Sequence, residues 1–220
     1  MTKWSTALLD TSVLYSPIGL RLVDELTGES PLGNVSVTLD VDDGAGGWRT
    51  TEIDAVTTPT GIATYPGLEY HSDLAGKAAR NYRVRLDSDL YIPYYQINAA
   101  GILFTAYPYN DNIPPAVITQ AATDALLVPS PTYAFARHIP VLRGVVVDAG
   151  NRRVPYAYVT QSNKERAIAD SDGNFALPLR WVPPNTATPI DAADQRTGRA
   201  GTISIQLPAA LTSSQTIPIH

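Results

Sequence analysis

The side chains best suited to chemistry are few and scattered. Three histidines, His71, His138 and His220, share no short ligand spacing, so a zinc or iron site would need residues far apart in the chain to converge. The chain has no cysteine, which removes disulfides, thiolate metal sites and a cysteine nucleophile together. No Gly-x-x-x-x-Gly-Lys phosphate loop or Gly-x-Ser-x-Gly elbow occurs, and no serine stands in a context that marks an activated nucleophile. The sequence therefore predicts a protein that is not an enzyme, with no catalytic residue, no cofactor and no metal essential to its fold.

Two acidic stretches come nearest to a cation site. Asp170-Ser171-Asp172-Gly173-Asn174 has the composition of a calcium loop, but a helix–loop–helix calcium site needs Gly sixth and Glu twelfth. Here Gly173 is fourth and Trp181 twelfth, so the stretch reads as a hairpin turn. Asp40, Asp42 and Asp43 could chelate calcium at a loop mouth. The Gly44-Ala45-Gly46-Gly47 that follows equally suits a solvated hairpin tip, and the sequence leaves both open.

Tyrosine supplies 12 of the aromatic residues, against 3 Phe and 3 Trp. Its apolar body and hydrogen-bonding tip suit either strand-end packing or an exposed contact surface. Tyr91, Tyr94 and Tyr95 flank Pro93, and Tyr107 and Tyr109 flank Pro108. These five form the candidate interface, for a partner protein or for a stacked sugar.

The elements that must position these groups are β-strands. The 18 Pro and 15 Gly punctuate short β-branched runs, with no long 3.6-residue periodicity between them. Strands are predicted at 20–23, 35–41, 49–53, 62–65, 82–86 and 102–107, then at 142–147, 157–160, 166–169, 175–179 and 202–207. Residues 116–127 suit either a short helix, given Ala121, Ala122 and Ala125, or an extended connector between Pro115 and Pro129. Val35, Val37, Leu39, Val145, Val147, Val159 and Phe175 are expected to face cores.

A length of 220 residues with 44% hydrophobic content allows one large domain or two small ones. An internal repeat favours two. Asp24, Pro31 and Val35 recur with the same spacing as Asp148, Pro155 and Val159, and Thr60-Gly61-Ile62-Ala63 aligns with Asp172-Gly173-Asn174-Phe175. The fold class expected is all-β: two tandem Ig-like or transthyretin-like β-sandwich domains. The predicted division is an arm at 1–16, a first sandwich at 17–115, a Pro-bounded connector at 116–138 and a second sandwich with a C-terminal extension at 139–220.

A net charge of −5 argues against a generally basic nucleic-acid binder. The charge is uneven: 7 basic and 15 acidic residues through Ala136, then 9 and 6 from Arg137 onward. Opposed halves of this kind could favour head-to-tail contacts between copies. The apolar run Ala7-Leu8-Leu9 is shorter than a secretory core, and no run reaches the ~18 apolar residues of a membrane span. Cytoplasmic synthesis without a signal peptide, and no membrane insertion, are the expectations.

Leu142-Arg143-Gly144-Val145, Val154-Pro155-Tyr156-Ala157-Tyr158-Val159 and Asp170-Ser171-Asp172-Gly173-Asn174-Phe175 together resemble the carboxypeptidase regulatory-like domain. That resemblance implies a seven-stranded transthyretin-like sandwich over the second half. The pattern departs after Leu179, where Trp181 opens a polar, Pro-containing stretch to about Gly201, and this leaves a complete seventh-strand count open. The related iron-binding intradiol dioxygenases would need two His and two Tyr, and no His-x-His signature occurs.

The connector Val128-Pro129-Ser130-Pro131-Thr132-Tyr133-Ala134-Phe135, leading to Leu142-Arg143-Gly144, is similar to that of accessory proteins of phage-tail-like contractile injection systems. This implies a non-catalytic structural component of a multiprotein particle. Its partners would be other subunits of the assembly, among them further copies of itself. A carbohydrate- or cell-surface-binding module is the competing expectation.

Overall fold

The computed structural model describes residues 13–118, 121–162 and 164–220. Among these the regular structure is β, apart from two short 3-10 turns at Tyr94–Ile97 and Ala209–Leu211. The strands of the first half are β1 (Gly19–Asp24), β2 (Ser36–Asp42), β3 (Trp48–Thr50), β4 (Val56–Thr57), β5 (Ile62–Thr64), β6 (Arg80–Asp87), β7 (Tyr91–Pro93), β8 (Ile102–Ala106) and β9 (Thr123–Pro129). Those of the second are β10 (Val141–Asp148), β11 (Tyr158–Gln161), β12 (Glu165–Ile168), β13 (Asn174–Pro178), β14 (Ala187–Asp194), β15 (Arg199–Gln206) and β16 (Gln215–Ile219).

Each half is a sandwich of two sheets. The first packs β4-β5-β1-β9-β7 on β3-β2-β6-β8, and the second packs β13-β10-β16 on β12-β11-β14-β15. One core gathers Leu20, Leu39, Val41, Val84, Leu86 and Leu127, and the other Leu142, Val146, Val159, Phe175, Ile190 and Ile217. In β2 the strict alternation of apolar and polar side chains sends Leu39 and Val41 inward, with Val37 partly buried beside them.

The two halves share one plan, in the register that the sequence repeat implies. Leu20 pairs with Ala63 and Arg21 with Ile62; Gly144 pairs with Phe175 and Val145 with Asn174. The parallel partners also correspond, Asp24↔Leu127 in the first half and Asp148↔Ile219 in the second. Both aspartates end their strand with the same turn: Oδ1 of Asp24 accepts the Leu26 amide at 2.8 Å, and Oδ1 of Asp148 accepts the Gly150 amide at 2.9 Å. Pair volumes are traded between halves. A side chain on Gly144 would meet the Gln215 carbonyl and lie 2.6 Å from the Phe175 ring, so the bulk of Leu20 in one half sits on Phe175 in the other.

Three expectations need correction. Within the predicted connector at 116–138, Thr123–Pro129 is strand β9 of the first sandwich, neither a helix nor a segment outside the sandwich. Pairing with β1 places Ala125 and Leu127 in the core, and that burial overrides the helix propensity of the alanines. The polar stretch after Leu179 forms the hairpin β14–β15, so the second half has seven strands. Its inward positions are Thr188, Ile190, Ala192 and Asp194, half of them polar, which hides the alternation from a hydrophobicity reading. On β10, Leu142, Gly144 and Val146 face the core, while Val145 and Val147 lie on the opposite face. An inward glycine under Phe175 shifts the apparent phase by one residue. The predicted arm at 1–16 lies mostly outside the described residues. Tyr15 and Ser16 are tied to the first sandwich through Tyr109 and the amide of Tyr65.

Candidate functional site

Four of the five candidate interface tyrosines, Tyr91, Tyr94, Tyr95 and Tyr109, make contacts within the chain. Tyr91 is 2% exposed, its hydroxyl accepting the Leu32 amide at 2.9 Å and donating to Oδ2 of Asp24 at 3.0 Å. Tyr133 donates to the same oxygen at 3.1 Å. Burial and the adjacent Asp24 carboxylate push both hydroxyls above the ordinary tyrosine value. Tyr95 is partly buried and accepts the Leu86 amide through its hydroxyl at 2.7 Å. Tyr109 is 1% exposed and edge-packed between Tyr15 and Tyr70, with centroids at 5.3 and 5.6 Å. A buried ring cannot stack on a sugar or a partner, so Tyr91 and Tyr109 leave the candidate surface. Tyr107 stays partly exposed, in a hollow with Pro115, Val117 and Ile118.

Tyr94 does form an interface, within the chain. It meets Tyr158 of the second half edge-on at 6.3 Å, and the Arg166 guanidinium sits over its ring at 5.1 Å. Ile92, Ile97 and Val128 of the first half pack with Ile168 of the second in the same small cluster, flanked by Tyr156. Beside it Arg166 donates to Glu25, and Arg180 donates to the Leu26 carbonyl at 3.2 Å and to Glu165 at 2.8 and 3.1 Å. The cleft over this junction is about 210 Å³, lined by Glu25, Leu26, Lys164, Glu165, Arg166 and Arg180 with Pro129 and Pro178. Its lining carries carboxylates already matched to guanidinium groups and no hydroxyl, thiol or imidazole. Sequence reasoning missed these ion pairs because Glu25 and Arg166 lie 141 positions apart and share no motif.

Asp40, Asp42 and Asp43, for which the sequence left calcium chelation and a hairpin tip both open, are engaged within the chain. Asp40 is buried on the outer face of its sheet and accepts from Arg83, Arg85 and Thr50 at 2.7 to 3.0 Å. Those hydrogen bonds, from Arg85 above all, hold its carboxyl well below the usual carboxylate range despite burial. Arg83 in turn stacks on Trp48 at 4.8 Å. Asp42 and Asp43 cap the hairpin tip, accepting the amides of Gly44, Ala45 and Gly47 at 2.8 to 2.9 Å. A carboxylate neutralised by two guanidinium groups has no charge left for a cation. The turn at Asp170 is a hairpin, with Oδ1 accepting the amides of Asp172 and Asn174 and Gly173 at φ 75°.

Of the histidines, His71 pairs with the buried Glu69 at 2.8 Å, and Glu69 also accepts from the Tyr82 hydroxyl and from Arg80 at 3.4 Å. Burial, with Glu69 beside it, pushes the Tyr82 hydroxyl up. Among the described residues no three His, Asp or Glu side chains gather as a metal-ligand group.

No family model and no curated protein matches the chain. Among solved structures, BcpA, the major pilin subunit of Bacillus cereus, aligns with 92% of this chain and 68% of its own length at 8% identity and a TM-score of 0.28. At that score the likeness carries no argument about architecture or role.

Proposed function

We propose that this chain is a non-catalytic structural component of a multiprotein particle. The observation that carries the reading is a set of exposed apolar side chains in the two segments that the Tyr15–Tyr109 contact brings together, one before β1 and one after β8. Val13, Leu14, Ile113, Val117 and Ile118 are each about half exposed or more, and Val117 and Ile118 line the hollow beside Tyr107. A monomer gains nothing from apolar side chains grouped in water, whereas a subunit buries them against a neighbour. The matched charges of the junction suit a rigid building block. The glycan-binding alternative depended on Tyr91, Tyr94 and Tyr95, whose rings are engaged inside the molecule.

The specific form of the proposal is an accessory subunit of a phage-tail-like contractile injection system. It draws on the similarity of residues 128–135 to the connectors of such proteins and on the carboxypeptidase regulatory-like pattern of the second half. Sedimentation of a native lysate tests it. The expected result is that the chain travels with a large particle, and that Val117→Asp with Ile118→Asp releases it while leaving the melting temperature unchanged. A free monomer in that lysate would contradict the reading.

A further inference from the structure

The outermost strands of the two halves are treated differently. In the second half β15 closes on β16: Ala200 and His220 exchange backbone hydrogen bonds at 3.1 and 3.3 Å, and Gly201 lies against the Pro218 carbonyl. In the first half β9 is covered by β7 instead, so among the described residues β8, the counterpart of β15, pairs with β6 alone. The other short edges are blunted in familiar ways: β7 and β13 end in proline, β16 contains Pro218, β4 has two residues, β3 has three and carries Arg49, and β12 is charged and packed against β9. The sequence of β8, Ile-Leu-Phe-Thr-Ala, carries no charge and no proline, and Leu103 on its solvent face is 66% exposed.

We infer that β8 is the contact strand of a two-fold dimer, pairing antiparallel with β8 of a second copy. A dyad at Phe104 sets Leu103 of each chain opposite Thr105 of the other and extends the four-stranded sheet to eight strands. Charge favours a second copy over an acidic or basic partner. The hollow beside the edge is lined by Trp48, Asn81, Leu103, Phe104 and Thr105 with Asp42 as its one carboxylate; Thr105 donates to Asn81 at 2.9 Å and Asp42 accepts the Gly44 amide, while the arginines across the ladder, Arg83 and Arg80, are paired with Asp40 and Glu69. Five residues a side bury less than the ~1,200 Å² of a stable complex, so the dimer is weak and concentration-dependent. The open part of β15, with Thr202, Ser204 and Gln206 outward, is more polar and is the lesser acceptor.

The inference names a partner for the assembly reading above, yet it fails separately from it: a monomeric chain could still join a particle through its exposed apolar segments. The test is sedimentation equilibrium of the full chain from ~10 µM to ~1 mM. The weight-average mass is expected to rise from that of a 23.6 kDa monomer toward twice that value, more readily at high salt because the chain carries −5. Leu103→Lys with Thr105→Lys keeps the melting temperature and stays monomeric, while Thr202→Lys with Ser204→Lys still dimerises. A monomer at ~1 mM, a dimer indifferent to the Leu103 and Thr105 changes, growth past dimer mass, or association weakened by salt would each overturn it.

Discussion

Asp24 and Asp148 hold the same place in the two halves and are satisfied by opposite means. Asp24 is buried among the hydroxyls of Tyr91 and Tyr133. Asp148 keeps its Oδ1 on the amides of Gly150 and Arg152, and its Oδ2 on the guanidinium of Arg152 with Arg199 at 3.6 Å. One carboxylate is enclosed by neutral donors next to the junction; the other sits under arginines at the free end. The difference teaches what docking does to a shared turn. Where Glu25 and Leu26 meet Arg166 and Arg180, the cations come from the second half and the carboxylate below must be satisfied by uncharged groups. At Asp148 the cations come from the same half, Arg152 in the turn and Arg199 on β15.

The trade of volume between Leu20–Ala63 and Gly144–Phe175 gives the largest expected effect. Phe175→Ala opens a cavity over Gly144 and should cost about 4 kcal/mol in chemical denaturation. Gly144→Leu should cost about 3 kcal/mol. Adding Phe175→Ala to Gly144→Leu should relieve only part of the strain, because the Gln215 carbonyl is backbone and remains in the way. Full rescue would show that the pairs are interchangeable.

Next in size is the paired aspartate. Asp24→Ala leaves two buried hydroxyls and the Leu26 amide without their acceptor, and about 3 kcal/mol of stability should go with it. Asp148→Ala should cost less, since Arg152 is exposed to water. Urea midpoints of the two variants compare them directly; equal losses would remove the distinction between the sites.

Asp40 gives the comparison a pH axis, because the first half carries the most strongly depressed carboxylate. Its native value lies below the unfolded one near 3.9. The contribution is present above that pH and is lost as pH falls toward the native value. Asp40→Asn should therefore be less stable than the parent at pH 7, with the gap narrowing by pH 2.5. A gap constant with pH would assign the loss to packing.

The smallest effect should be a gain. The Tyr65 hydroxyl is buried without a hydrogen-bond partner among the described residues, and burial pushes it up to about 12. Tyr65→Phe should stabilise by about 1 kcal/mol at neutral pH. The parent should lose further stability between pH 10 and about 12, where the unfolded chain ionises and the folded one resists. That alkaline loss should shrink in the variant.

Turn chemistry made much of the fold legible. Asp24 and Asp148 with their prolines, and Gly61 and Gly173 at the hairpins, aligned the halves in the register that the strands adopt, because each turn needs particular residue types at fixed offsets. The strands lost to view were those whose burial depends on distant partners. In β9 small alanines resemble a helix until β1 lies beside them, and in β14 Thr188 and Asp194 occupy inward positions. The candidate site was less legible still. Tyrosine clusters announce an amphipathic surface but not whether its other side is solvent, a partner or the other half of the same chain.

The central claim is that the molecule is one docked pair of sandwiches with the same plan, in which residues 123–129 are the last strand of the first. Hydrogen exchange on the full chain tests this most directly. The amides of Ala125 and Leu127 should exchange as slowly as those of Ile217 and Ile219, their counterparts beside β10. Rapid exchange across 123–129, as in a solvated linker, with protection retained in β16 would contradict it.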